Sequence, residues 1–199
     1  LTRLTPTFAQ LVIRGADLTV TRPDANHLEI GGIRIALNSS GRGDAAQQFA
    51  DWLFGQDEIL ILDSSLTWEN AAQHAPPLPL TQVNLLLRNT LLTHRAALTA
   101  TPPTGFGGPI DLRASFRQPF FLRHTADFSR WKGTLYGEAS NVDLAALQPQ
   151  LPLTLPATTQ TGRGSVRAWA QLDKAAPTAF TADLALRGVA LQLAPSKTP

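Results

Sequence analysis

The sequence predicts a mainly β, antiparallel fold with one or two short helices. Three observations carry that expectation. About ten runs alternate apolar and polar residues with period two. Turns of hairpin size, marked by Gly, Pro and Asn, separate the runs. Helical periodicity occurs only twice and briefly, so the βαβ rhythm of a parallel doubly wound sheet is missing.

In order, Phe8–Arg14 and Asp17–Thr21 read as strands joined at Gly15. Leu28 and Ile30 alternate with polar neighbours, and Ile33, Ile35 and Leu37 resume one residue out of phase. The pair Gly31-Gly32 between them permits a bulge or a tight hairpin. Residues 1–40 are thus leading strands, and Ser39–Gly43 is a loop. Asp44 is suited to cap a helix over 44–55. Ala45, Phe49, Trp52 and Leu53 fall on one of its faces, and Gly55 follows its end. Three turns do not hold alone in water, so this face must dock on something apolar.

Successive antiparallel strands are expected over 57–195. Ile59–Leu62 is apolar on both faces, as in a strand covered from two sides. Leu66 and Trp68 resume alternation before a loop over Ala71–Pro79. Val83, Leu85 and Leu87 form the next one-sided run, Asn89-Thr90 breaks it, and His94, Ala96, Leu98 and Ala100 continue. Pro102–Pro109 is a turn-rich link. Ile110, Leu112, Ala114 and Phe116 alternate until Pro119, and Phe120–Phe128 is extended but irregular. Trp131–Ala139 alternates again. Asn141 or Asp143 caps a short helix that stops near Pro149. Pro152 and Pro156 mark a loop reaching to about Gly164, with Gly162 and Gly164 as turn punctuation. Val166–Leu172, Phe180–Leu186 and, after Gly188, Val189–Leu193 close the series. Pro195–Pro199 reads as a frayed end.

Composition excludes several classes. Hydrophobic residues make up 43% of the 199, enough for a sizeable apolar face, while charged residues are only 16%. The 14 Arg and 3 Lys are spread singly, with no basic run and no basic stacking platform, so nucleic acid is not an expected partner. There is no cysteine, hence no disulfide, thiolate metal site or Cys nucleophile. No run reaches the roughly 18 apolar residues that span a bilayer as a helix. A start without Met, already strand-like, is expected of a piece of a longer protein whose anchors and targeting signals lie elsewhere.

Side-chain chemistry is equally bare. His27, His74, His94 and His124 stand in no metal-ligand spacing, and His94 falls on the apolar phase, as a buried or rim histidine does. Asp57-Glu58 and Asp63 flank a strand as solvated turn acids. Ser64-Ser65 lacks a nucleophile elbow. Gly105–Gly108 has no following Lys or helix to make a phosphate loop. Trp52 and Trp131 read as core anchors, whereas Trp169 lies on the polar phase as a surface aromatic. No enzyme activity and no cofactor are expected.

One-sided strands must cover their apolar face. A second sheet does so in a β-sandwich, the commoner outcome of such patterns. Closure into a barrel is a second solution. An open, curved gutter covered by a ligand is a third, and a Leu/Val/Ile/Ala lining suits flexible acyl chains better than planar cofactors.

One family resemblance selects among these. Trp52-Leu53, Gln56, Ile59-Leu60-Ile61 and Leu66-Thr67-Trp68-Glu69 resemble the YhdP branch of the AsmA-like envelope proteins. So do Pro77–Leu80, Val83-Asn84-Leu85, Asn89, His94 and Pro102-Pro103. Ile110-Asp111-Leu112-Arg113, Trp131–Tyr136 and Asp143-Leu144 continue the likeness, which covers about residues 45–195. Thr90 stands where that pattern has a glycine. The resemblance implies a single continuous segment, 1–199, of a strongly curved, groove-like open sheet. It implies a periplasmic location in an inner-membrane-anchored protein, with phospholipid acyl chains moving between the membranes as the cargo. Membrane contact through other parts of the protein and envelope protein partners are further implications. Leu85, Leu87, Leu98, Ile110, Leu112, Leu135, Val166, Leu184 and Leu191 are the expected groove lining. The rival expectation is a non-catalytic envelope scaffold with a closed β core.

Overall fold

The computed structural model describes residues 7–36, 44–120, 127–151, 157–174 and 176–193. Its strands are β1 (Leu11–Arg14), β2 (Asp17–Asp24), β3 (His27–Ile30), β4 (Ile33–Ala36), β5 (Glu58–Glu69) and β6 (Leu78–Asn89), then β7 (Thr93–Thr101), β8 (Ile110–Arg117), β9 (Lys132–Asp143), β10 (Ala157–Asp173) and β11 (Ala176–Leu193). Two short helices, α1 (Asp44–Phe54) and α2 (Leu144–Leu147), accompany them. All eleven strands join one open sheet, in the order β11-β10-β9-β8-β7-β6-β5-β2-β3-β4, with β1 also on β5. This is the open sheet, not the sandwich.

From β5 to β11 every strand pairs antiparallel with the next in sequence. The N-terminal end departs from that order. β1 and β2 both lie parallel to β5, and with one offset: Leu11 faces Ile59 and Asp17 faces Ser65. They are two halves of one strand broken at Gly15 (φ 64) and Ala16. The break is stitched by Gly15 N–H to the Leu62 carbonyl at 3.1 Å and Ala16 N–H to Ser64 Oγ at 3.0 Å. Parallel pairing needs a crossover connection, and α1 lies within it. The Gly31-Gly32 pair resolves as a hairpin. Both residues have positive φ (56 and 80) between the paired Ile30 and Ile33, as a two-residue primed turn requires.

Bulges interrupt the ladders where Asp63, Gln82 and Asn141 take φ near 50. A bulge orphans an amide, and here side chains satisfy two of them. Asp63 N–H donates to Asn84 Oδ1, and Asn141 N–H donates to Ser165 Oγ, both at 3.1 Å. Bulges bend the strand and increase its twist, so this series curves the sheet.

Several boundaries differ from the sequence expectation. β6 begins at Leu78, so Pro79 lies inside a strand. It pairs with Thr67 of β5, while pairing to β7 starts only at Thr81, so Pro79 occupies a local edge where no N–H is needed. β10 starts at Ala157 instead of near Gly164, and Gly162 and Gly164 lie within it rather than in a turn. A Cβ on Gly164 would sit 2.8 Å from Leu186 Cδ2 and 3.2 Å from Leu144 Cδ2, so the glycine admits α2 and the neighbouring strand. Phe180–Leu186 and Val189–Leu193 form one strand, β11, bent at Gly188 (φ 59). Gly55 ends α1 without a left-handed conformation; a Cβ there would stand 3.0 Å from the Asp51 carbonyl oxygen. Leu37, the Ser39–Gly43 loop, the Ala45 side chain, residues 121–126 with His124, Pro152, Pro156 and Pro195–Pro199 lie outside the described residues.

Candidate functional site

The strand registers align the apolar residues in rows across the sheet. Ile13, Ile61, Leu85, Leu98, Leu112, Gly137, Ala168 and Ala182 are successive cross-strand partners. The parallel row is Leu11, Ile59, Leu87, Ala96, Ala114, Leu135, Ala170 and Phe180. A third joins Ala100, Ile110, Ala139, Val166 and Leu184. Paired residues share a face, so all three rows lie on one side of the sheet. At strand spacing of about 4.8 Å, eight strands extend each full row over roughly 34 Å.

Two margins close the ends of this face. At the first, Phe54 of α1 meets His94, Phe128 and Trp131 edge-on at 5.4, 5.4 and 5.2 Å. His94 and Trp131 stack with centroids 4.3 Å apart and planes 4° apart. Asn89 ties the cluster to the helix end. Its Nδ2 donates to the Gln56 carbonyl at 2.7 Å and to the Leu53 carbonyl at 3.4 Å. Its Oδ1 must then accept from His94 Nδ1–H, at 2.8 Å. A cavity of about 290 Å³ lies against this cluster, lined by Phe54, Leu87, Phe116, Trp131 and Leu172 among others. Gly133 stands opposite Phe116, and a Cβ there would fall on that ring, so glycine makes room for it.

At the second margin Leu78, Leu80, Val83 and Ala100 are buried, with Trp68, Leu98, Phe106 and Ile110 packed against them. α2 and the turn after it brace this side. Gln150 Nε2 donates to the Pro76 carbonyl at 2.9 Å, and Asn70 Nδ2 to the Pro149 carbonyl at 3.1 Å. Asp143, not Asn141, is the cap. Its Oδ1 accepts from the Ala145 and Ala146 amides at 3.0 and 3.1 Å. Asp143→Ala is expected to cost about 1 kcal/mol, read as a lower urea midpoint at unchanged m-value.

Between the margins the face is open. Leu112 is 43% exposed and Leu135 38%. Exposure rises toward the β11 edge, where Phe180 reaches 72% and Leu184 61%. The expected lining residues are thus distributed. Leu85, Leu98, Leu112, Leu135, Ile110, Val166 and Leu184 lie in the three rows. Leu87 shares the second row but is buried beneath the first margin. Leu191, beyond two register shifts, pairs with Thr159 and is exposed. The sequence reading missed Phe54, the helix residue that engages the aromatic cluster. The signal available for it was its position just before the helix-ending Gly55.

The opposite face carries the apolar partners Val12, Leu60, Leu86 and Ala97 over β1 and β5 to β7, as expected for a strand apolar on both faces, and turns polar from β8 onward. Arg113 pairs with Asp111, Arg167 with Glu138, and Tyr136 Oη donates to Glu138. The Tyr136 phenol is pushed up chiefly by that bond, and Glu138 is held below the usual carboxylate range by it. Trp169 lies here, half-exposed against the Tyr136 ring at 5.5 Å. Glu58 accepts from Gln10 and Arg88, and Asp63 from Arg14, so these acids serve as strand-surface ion pairs.

Burial pulls the His94 imidazole below the usual histidine pKa, with Gln118 opposing part of that pull. The folded chain therefore holds His94 neutral where the unfolded chain, near pH 6.5, begins to take up a proton. Unfolding then binds the extra proton, so this contribution is full above about pH 6.5 and is lost as pH falls toward the lowered value. Urea midpoints are expected to drop between pH 7 and 5, and a non-titrating His94→Gln chain to show a flatter profile in that window. Carboxylates such as Glu58 and Glu138 act lower, because their depressed values place the loss below about pH 4.5.

Among the described residues no cluster of three or more His, Asp or Glu is placed to hold a metal ion, and no helix is long and apolar enough to cross a membrane. No curated protein and no solved structure matches the chain. The model of one family, described as YhdP protein, matches residues 1–199. With its open one-sided sheet and that match along its whole length, the chain belongs to the YhdP family.

Proposed function

We propose that the chain is a periplasmic segment of a bridge-like lipid-transfer protein, offering its apolar face as a groove for phospholipid acyl chains moving between inner and outer membrane. The observation that carries the reading is the set of apolar rows. They run across up to eight strands and remain partly exposed between two closed margins. Each buried methylene contributes about 0.8 kcal/mol, so an acyl chain is held by area alone, without polar contact. Repetition of similar aliphatic residues along the rows lets the chain slide without a deep trap. The work is partition and not catalysis, and no cofactor takes part. Anchoring to the membrane falls to other parts of the protein.

Organic extraction of the purified chain followed by mass spectrometry tests this directly. Phospholipid is expected in the extract. Photocrosslinkers at Leu112, Leu135 or Val166 should label it, and those at Asp111 or Arg113 should not. Lipid-free protein, or labelling from the Asp111 and Arg113 side, would favour a structural spacer.

A further inference from the structure

The strand ends that bear the aromatic margin carry a second surface on their polar side. Arg95, Ser115, Thr134 and Gln171 are successive cross-strand partners. Beside them run Arg117, Lys132 and Asp173. Together they line an open cleft of about 600 Å³. Its charge is uneven, with three cations against the one carboxylate of Asp173.

Two like-charge pairs stand directly opposite one another, Arg88 with Arg95 and Arg117 with Lys132. Such pairs weaken a ladder unless a counter-charge intervenes. Arg88 has Glu58, and Lys132 has Asp173 at 2.9 Å. Arg95 and Arg117 have no ion-pair partner among the described residues. The cleft thus places two uncompensated guanidinium groups and an ammonium around the hydroxyls of Ser115 and Thr134.

We propose that this cleft binds a phosphate group. A guanidinium presents a planar fork of donors that matches phosphate oxygens in pairs. Ser115 and Thr134 add hydroxyl donors, and Lys132 adds a point charge. An anion at this place gives Arg95 and Arg117 the counter-charge that Glu58 and Asp173 already give their cross-strand neighbours Arg88 and Lys132. The site lies on the face opposite the groove, so it does not depend on the groove reading. Phosphate reaches it either free in solution or on a lipid head group, and the same chemistry serves both.

The test is thermal unfolding of the chain in inorganic phosphate against chloride at matched ionic strength. Phosphate is expected to raise the Tm by a few degrees beyond chloride, about 2–4 °C at saturating levels. Arg117→Gln should keep or raise the Tm in chloride, since it removes a like-charge contact, and should lose the phosphate increment. Arg95→Gln should weaken phosphate about tenfold by calorimetry. Flotation with phosphatidylglycerol vesicles separates the sources. Binding that inorganic phosphate competes away, and that Arg117→Gln abolishes, assigns the head group. A phosphate increment without flotation assigns the free anion. If phosphate acts no differently from chloride and vesicles do not bind, or if Arg117→Gln responds like the parent chain, the proposal is overturned.

Discussion

Trp131→Ala is expected to lower the stability of the chain by about 3–5 kcal/mol. The indole is 3% exposed and contacts four other rings: His94, Phe54, Phe128 and Phe116. Two costs add. The apolar area of a full indole is returned to water, and the gap it leaves cannot collapse, because β7, β8 and β9 hold its neighbours in register. A third effect follows from connectivity. Phe54 of α1 packs on this cluster, and a helix of eleven residues does not persist in water without a docked face. Loss of Trp131 should therefore loosen α1 before the sheet unfolds. Urea denaturation gives the midpoint, and hydrogen exchange gives protection of the α1 amides. A loss below about 1 kcal/mol, or unchanged α1 protection, contradicts this account. A double-mutant cycle with His94→Ala should show coupling, since stacked partners share one interaction.

The strands were legible in the sequence because a half-buried strand writes its faces directly into period two. Ile110–Arg117 illustrates this: Ile110, Leu112, Ala114 and Phe116 occupy one row position each on the apolar face, and Asp111, Arg113 and Arg117 lie on the other. Positions where two elements approach closely were not legible. Gly162 and Gly164 looked like turn residues, yet they lie inside β10 because Leu144 of α2 and residues of β11 crowd them. Composition carries no sign of which neighbour will arrive. Pro79 misled for a related reason, since its place at a local edge depends on where β7 begins pairing. The parallel attachment of β1 and β2 to β5 was invisible as well, because alternation fixes a strand's faces and not its partners. Within the groove the sequence identified the facing residues, but not that Leu87 is buried at the aromatic margin, where it lines one cavity with Phe54, while Leu112 stays open. That distinction arises from the aromatic margin, where Phe54 of α1 joins His94 and Trp131 beside Leu87 and Leu112 lies outside the cluster.

The difference between Leu87 and Leu112 makes the strongest functional prediction. Leu112→Asp should remove bound lipid while leaving the fold in place. Leu112 is 43% exposed, between Leu98 and Gly137 near the middle of one of the two eight-strand rows. A carboxylate there can stay hydrated when the groove is empty, so stability should fall by only about 1 kcal/mol. An acyl chain lying along the row must either strip water from that charge or leave the floor. Stripping it costs several kcal/mol and leaving it forfeits methylene contacts of about 0.8 kcal/mol each. Either route lowers occupancy by about tenfold or more, since 1.4 kcal/mol is a factor of ten. Leu112→Ala, which trims area without adding charge, should lose far less. The same carboxylate at Leu87 should instead unfold the first margin, because that side chain is 7% exposed and has no water to retain. Lipid content by mass spectrometry, read beside the urea midpoint, distinguishes the two sites. A folded Leu112→Asp chain that retains normal lipid would mean that the cargo does not lie along these rows.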